Sequence, residues 1–209
     1  MKTFVYIDGF NFYYGAVAKT PYKWLDFKLL LQNLLSPKHK ILKIKYFTAL
    51  ITGKIDPNAP VRQKTYLRAL QKYIPELSVY YGTFNSHDVI KPLACRNKKF
   101  TKPFFVPIIK TEEKGSDVNL AVHLLNDAWL NEFDCAVVVS NDSDLVESLK
   151  IVKNQLKKKI GIINPRNNTP ARELMKYSNF HKKVRKGVLK ISQLPDPIPD
   201  TTIKKPKIW

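Results

Sequence analysis

Short β-rich apolar runs alternate with stretches of helical periodicity along most of this chain. TFVYI (3–7) is a compact apolar run that ends at Asp8-Gly9. NFYYGAVAK and DFKLLLQNLL (26–35) follow with helical spacing, Asp26 placed to cap the second and Pro37 just past its end. ILKIKYFTAL (41–50) alternates Ile and Lys before turning aromatic, which predicts a strand with one exposed face. VRQKTYLRALQKYI (61–74) predicts an amphipathic helix stopped at Pro75, and LSVYYGTF (77–84) the next strand. KPFFVPIIK predicts a strand that Pro107 pushes toward a bulged or edge position. SDVNLAVHLLNDAWL (116–130) has helical spacing, and CAVVV within 134–140 is a continuous apolar run suited to burial on both faces of a parallel sheet. DLVESLKIVKNQL (144–156) predicts a helix and KKIGIINP (158–165) a strand stopped by Pro165.

Repeating β-α units of this size predict an α/β sandwich with a mostly parallel sheet over 1–165. The polar, lysine-rich stretch 85–103, broken by Pro92 and Pro103, is expected to be an insertion or lid. After Pro165 the texture changes. PARELMKYSNF (170–180) keeps helical character, but the remainder of 166–209 is a basic, proline-bearing extension. It is either an arm that ties back onto the domain or a partner surface, for nucleic acid or a second copy of the chain. Trp209 at its end suggests that it docks.

Charge changes the picture more than length does. Lys+Arg number 36 against 17 Asp+Glu, a formal net charge of +19 over 209 residues. Such an excess favours polyanionic partners, although lysine outnumbers arginine strongly enough that a generally basic protein gives the same total. Cys95 and Cys135 are far apart with no CxxC, which argues against a disulfide framework or zinc site and for a reducing cytoplasm. No run approaches the roughly 18 apolar residues of a membrane span, and the N-terminal run is too short for a signal peptide.

Against this basic background the carboxylates stand out by position. Asp8 follows the first apolar run, Asp117 follows FFVPIIKTEEKGS, and Asp142 and Asp144 follow CAVVVSN. If those runs are neighbouring parallel strands, their carboxyl ends open into one crevice, where α/β sheets place their sites. Hard oxygen ligands gathered there suit Mg²⁺ or Mn²⁺. Taken singly, each aspartate has a structural explanation as a helix cap or a first-turn acid. Two carboxylates flanking Ser143 are harder to explain by capping alone, since they repel unless a cation or proton relieves them. Asn11 sits across the Gly9 turn from Asp8, and Gly9 lets backbone approach a ligand.

DGFN, KGSDVNLAVHLL and VVVSNDSDL, in this order and spacing, resemble the NYN domain proteins, PIN-like nucleases of the bacterial LabA type. The likeness runs from about residue 3 to 165, and the ending around ISQLPDPI also looks like this group. The resemblance implies a PIN-like three-layer α/β/α sandwich and a carboxylate site that binds Mg²⁺ or Mn²⁺ and cleaves RNA. Asp8, Asp117, Asp142 and Asp144 would be the metal ligands and, with Asn11, the catalytic set. Ser140 and Lys114 would contact the phosphate or a metal-bound water. Lys91, Arg96, Lys98, Lys99 and Lys102 of the insertion would hold nucleic-acid backbone without reading sequence. Phe10, Tyr13 and Tyr14 either stack on unpaired bases or belong to the core. The expected partner is RNA, with single-stranded DNA and a homodimer as further candidates, and no membrane. His123 occupies a position that is acidic in many relatives. Two other functions stay open: a nucleic-acid-binding or regulatory protein with a weakened metal site, and a small-molecule enzyme on the same scaffold. The chain's glycines form no GxGxxG, which weighs against a dinucleotide enzyme.

Overall fold

The computed structural model describes residues 1–93, 104–166 and 171–209. Six strands form one sheet: β1 (Lys2–Asp8), β2 (Lys40–Thr48), β3 (Leu77–Tyr81), β6 (Cys135–Val139), β7 (Lys159–Asn164) and β8 (Phe180–Lys183). Their order is β3-β2-β1-β6-β7-β8 and every pairing is parallel. β4 (Thr83–Pro92) and β5 (Phe105–Lys114) form a separate antiparallel two-stranded ribbon.

The parallel sheet needs cover on both faces, and the period-two alternation of its strands divides the core in two. Val5 and Ile7 of β1 face α2 (Phe27–Leu34) and α3 (Ala59–Tyr73), where Leu30, Leu31, Leu67 and Leu70 are buried. Phe4 and Tyr6 face α4 (Ser116–Trp129), α5 (Val146–Asn154) and α6 (Arg172–Tyr177), through Leu120, Leu124, Leu149, Val152 and Leu174. This is a three-layer α/β/α sandwich with a parallel central sheet. After β1 the chain makes a short helix α1 (Gly9–Phe12) that widens into one π-helical turn over Tyr13–Val17.

Three features differ from the sequence expectation. LSVYYGTF divides at Gly82 between β3 and β4, because Gly82 lies so close to the Lys114 carbonyl that a Cβ would come within 2.5 Å of it. The Pro107 run is β5 of the ribbon and not a parallel neighbour of β1 and β6; Asp117 reaches the crevice from the first turn of α4, in keeping with its reading as a first-turn acid. β2 is not half-exposed: Lys45 is buried, its ammonium 2.6 Å from Asp127 of α4. The segment after Pro165, expected to be an arm tied back onto the domain or a partner surface, packs onto the domain: it supplies β8 and α7 (Lys186–Ile191), and Leu189, Leu194, Ile198 and Ile203 enter the core. Trp209 packs edge-on against Trp24 and Tyr66, at 5.9 and 5.3 Å between ring centres. Among the described residues no helix is long and apolar enough to cross a membrane.

Candidate metal centre

The strand order reverses direction between β1 and β6, and the crevice of an open α/β sheet lies at that switch point, outside the carboxyl ends of the strands. Asp8 closes β1 there and Ser140–Asp142 follow β6. Gly9 is required by close approach: a Cβ would stand 2.7 Å from the Phe47 carbonyl oxygen and 2.8 Å from the Tyr46 ring. That freedom lets Asp8 cap α1, accepting from the Asn11 amide at 2.9 Å. Its other oxygen accepts from the buried Ser140 hydroxyl at 2.9 Å. The same hydroxyl oxygen accepts from the Asp142 amide at 3.1 Å. Asn11 Oδ1 accepts from the Asn141 amide, and Asn141 Oδ1 from the Ala171 amide. The turns after β1 and β6 are thus tied into one hydrogen-bonded unit.

α4 delivers the third carboxylate. Gly115 turns the chain out of β5 with φ of 87°, a left-handed conformation that favours glycine. Glu113 Oε1 accepts from the Ser116 amide at 2.9 Å and caps the helix start, leaving Asp117 in its first turn. One carboxylate oxygen from each of Asp8, Asp117 and Asp142 then lies within 4.8 Å of the others. Around a Mg²⁺ with 2.1 Å bonds, adjacent oxygens stand about 3 Å apart and opposite ones about 4.2 Å. The three carboxylates therefore need only a small contraction to share a cation.

Electrostatics points the same way. Burial pushes the Asp8 carboxyl up to about 6, with Asp142 and Glu113 adding repulsion and the Asn11 and Ser140 hydrogen bonds opposing. Burial also pushes Asp117 up to about 7, followed by the charges of Asp8, Asp142, Glu113 and Asp144. Without a cation the group resists carrying three full charges at neutral pH, which is what a divalent ion would relieve. The donor set is all oxygen, chemistry matched to Mg²⁺, Mn²⁺ or Ca²⁺.

The expected site residues fall into separate roles. Asp8, Asp117 and Asp142 converge, while Asp144 is exposed and outside the three-carboxylate group, its amide donating to Asp142 Oδ1. Asn11 and Ser140 are oriented toward holding the two turns. Lys114 is exposed, 3.8 Å from Glu112, and Lys91 is exposed on β4. Arg96, Lys98, Lys99 and Lys102 lie outside the described residues. His123 stands apart from the carboxylates, half-buried against Tyr80 with 4.2 Å between ring centres and 3.4 Å from the Lys45 ammonium. Burial first, then Lys45, lowers its pKa. Phe10 stacks on Phe84 and on Tyr14, and Tyr14 is exposed. No spacing in the sequence marks Glu113, because the capping box places its acid three residues after the cap and not before the helix start.

A parallel α/β/α sandwich with an all-carboxylate crevice at the switch point defines a PIN-like architecture. The NYN domain model matches residues 2–183, and the chain belongs to the NYN domain family. Along its whole length it is also similar to 6-hydroxy-3-succinoylpyridine 3-monooxygenase HspA of Pseudomonas putida, at 32% identity over 244 residues, covering 100% of this chain and 75% of that protein. A crystal structure of a protein of unknown function from Vibrio parahaemolyticus shares the fold, with a TM-score of 0.55 at 16% identity over 88% of this chain and 93% of that one. The named relative is a monooxygenase and not a nuclease.

Proposed function

We propose that the chain is a metal-dependent enzyme whose Asp8, Asp117 and Asp142 carboxylates hold a divalent cation, and that it hydrolyses phosphodiesters, RNA first. The convergence of the three carboxylates carries this reading. A bound Mg²⁺ or Mn²⁺ would supply Lewis acidity toward a phosphoryl oxygen and a lowered pKa for coordinated water. The chain's own part is orientation. Ser140 and the Asn11 amide fix both oxygens of Asp8, and the Ser140 oxygen holds the Asp142 turn in register with it. Asp144, exposed beside the group, adds negative charge at its rim. The net charge of +19 would concentrate a polyanion near a centre that its own carboxylates would otherwise repel.

A second reading has a specific observation behind it: the full-length similarity to a monooxygenase of a substituted pyridine. On that reading the same scaffold acts on a small aromatic molecule, and the carboxylate cluster positions it or a cation. The all-oxygen donor set favours hydrolysis over this, because mononuclear non-haem iron oxygenases draw on two histidines and one carboxylate.

One experiment separates them. Mixed RNA and single-stranded DNA are incubated with the protein in Mn²⁺ or Mg²⁺, beside EDTA and Asp142→Asn controls. In parallel, oxygen uptake is followed with 6-hydroxy-3-succinoylpyridine and a reduced nicotinamide. Cleavage abolished by both controls supports the hydrolase. Oxygen uptake without cleavage would replace it with the second reading.

A further inference from the structure

A cavity of about 410 Å³ lies on the α3 side of the sheet, immediately across the Gly9–Phe10 turn from the carboxylates. That volume is in the range of small-molecule pockets. Aromatic rings make up one part of its wall, Phe12, Tyr13, Phe27, Tyr66 and Trp209 among them. An aromatic wall alone is an ordinary core. Polar groups line the cavity too, and Asp56, Arg62 and Gln63 among them are already hydrogen-bonded, but two buried hydroxyls are not. Tyr46 and Thr48, on β2, line the cavity at 7% and 3% exposure. Neither Tyr46 Oη nor Thr48 Oγ1 has a hydrogen-bond partner among the described residues, and neither atom is sealed from the cavity. Buried hydroxyls are ordinarily satisfied, so two open ones in an aromatic slot call for a ligand with polar edges. Lys23 also lines the cavity without an ion-pair partner among the described residues, which favours an anionic ligand.

Position ties the cavity to the metal centre. The Tyr46 hydroxyl stands 2.9 Å from where a Cβ on Gly9 would be, and Gly9 follows Asp8 directly. Phe10, on the same turn, is stacked between Phe84 and the exposed Tyr14 at the rim.

We propose that this cavity is a subsite for one unpaired nucleobase of the strand whose phosphate lies at the carboxylates. The base would stack on the aromatic walls and present its edge to Tyr46 Oη and Thr48 Oγ1. Stacking accepts every base, so any preference among bases comes from the two hydroxyls. The proposal rests on the phosphodiester reading and predicts that the protein takes single-stranded nucleic acid, since a paired base cannot enter.

The test uses the full chain in EDTA, so that metal chemistry plays no part. Tryptophan fluorescence is titrated with AMP, GMP, CMP and UMP, and with benzoate as an aromatic anion lacking a base. The wild type is compared with Thr48→Val and with Ala59→Phe, which fills the cavity from the start of α3. The expected result is saturable quenching by at least one nucleotide up to roughly millimolar concentration. It should be weakened about tenfold in Thr48→Val, the loss expected for one hydrogen bond. It should be lost in Ala59→Phe, while the Mg²⁺-induced rise in melting temperature of Ala59→Phe is kept. Quenching that persists in a folded Ala59→Phe, or that no nucleotide produces, overturns the subsite. Saturation by benzoate alone overturns it in favour of a small aromatic acid. Nucleotide binding without RNA cleavage leaves the subsite standing and removes the hydrolase.

Discussion

Replacing Lys45 by methionine tests how the layer that carries Asp117 is fastened to the sheet. The Lys45 ammonium lies 2.6 Å from Asp127 Oδ2, both side chains 8% exposed, and Tyr6 Oη donates to the same oxygen at 2.7 Å. The pair joins β2 to α4 inside the second half of the core. Methionine fills most of the space but leaves the Asp127 carboxylate buried with one hydroxyl as its partner. Removing one member of a buried pair costs about 3–5 kcal/mol, against roughly 0–1 kcal/mol for an exposed pair. At about 2–4 °C per kcal/mol for a chain of this size, the melting temperature should fall by roughly 6–20 °C. Urea unfolding with linear extrapolation measures the loss. Lys45→Met with Asp127→Leu and Tyr6→Phe should recover most of it, because an apolar replacement of all members leaves no buried charge or hydroxyl unpaired. A single-variant loss below about 1 kcal/mol, or a triple variant no better than the single one, would refute this account of the contact.

Further predictions concern the site and the tail. Asp8 and Asp117 hold their protons more tightly folded than unfolded, so in the metal-free protein their contribution is full in acid and is lost as pH rises through about 6 and about 7. The melting-temperature gain from Mg²⁺ or Mn²⁺ should therefore grow between about pH 5 and pH 8, and a gain independent of pH would contradict the assignment. Gly9→Ala should cost about 1–3 kcal/mol and weaken metal binding, since its Cβ meets the Phe47 carbonyl and the Tyr46 ring; an unchanged urea midpoint and metal affinity would count against that packing. Trp209→Ala should lower stability by about 1–3 kcal/mol through lost contact with Trp24 and Tyr66, measured by the shift in urea midpoint, and no shift would mean that the C-terminus is not docked in solution.

Periodicity made β1, β6 and α4 legible because each obeys a single rule. CAVVV is buried on both faces and reads as an unbroken apolar run, and α4 carries leucines at helical spacing under a glycine turn. What periodicity could not carry is pairing between distant segments. β5 has the composition of a sheet strand, but its partner is β4 across the 94–103 stretch, and no local pattern encodes that choice. β8 is four residues long and polar, so its place as the outer parallel strand depends on β7 being there to receive it. Lys45 looks solvated in an Ile-Lys alternation, and only the tertiary meeting with Asp127 makes it a core residue. Within the site, residue types at turn positions indicated the three converging aspartates. Their division from Asp144, and the roles of Ser140 and Asn11 as struts, depend on hydrogen-bond directions that spacing does not specify.

Calorimetric titration of Mn²⁺ into the full chain shows whether Asp8, Asp117 and Asp142 share a cation. Asp142→Asn is the informative variant, because asparagine can still accept the Asp144 amide and keep the turn while giving up a charged ligand. One saturable site in the wild type, weakened at least tenfold in Asp142→Asn and far less in Asp144→Asn, is the predicted result. Equal Mn²⁺ affinity in the wild type and Asp142→Asn would contradict it.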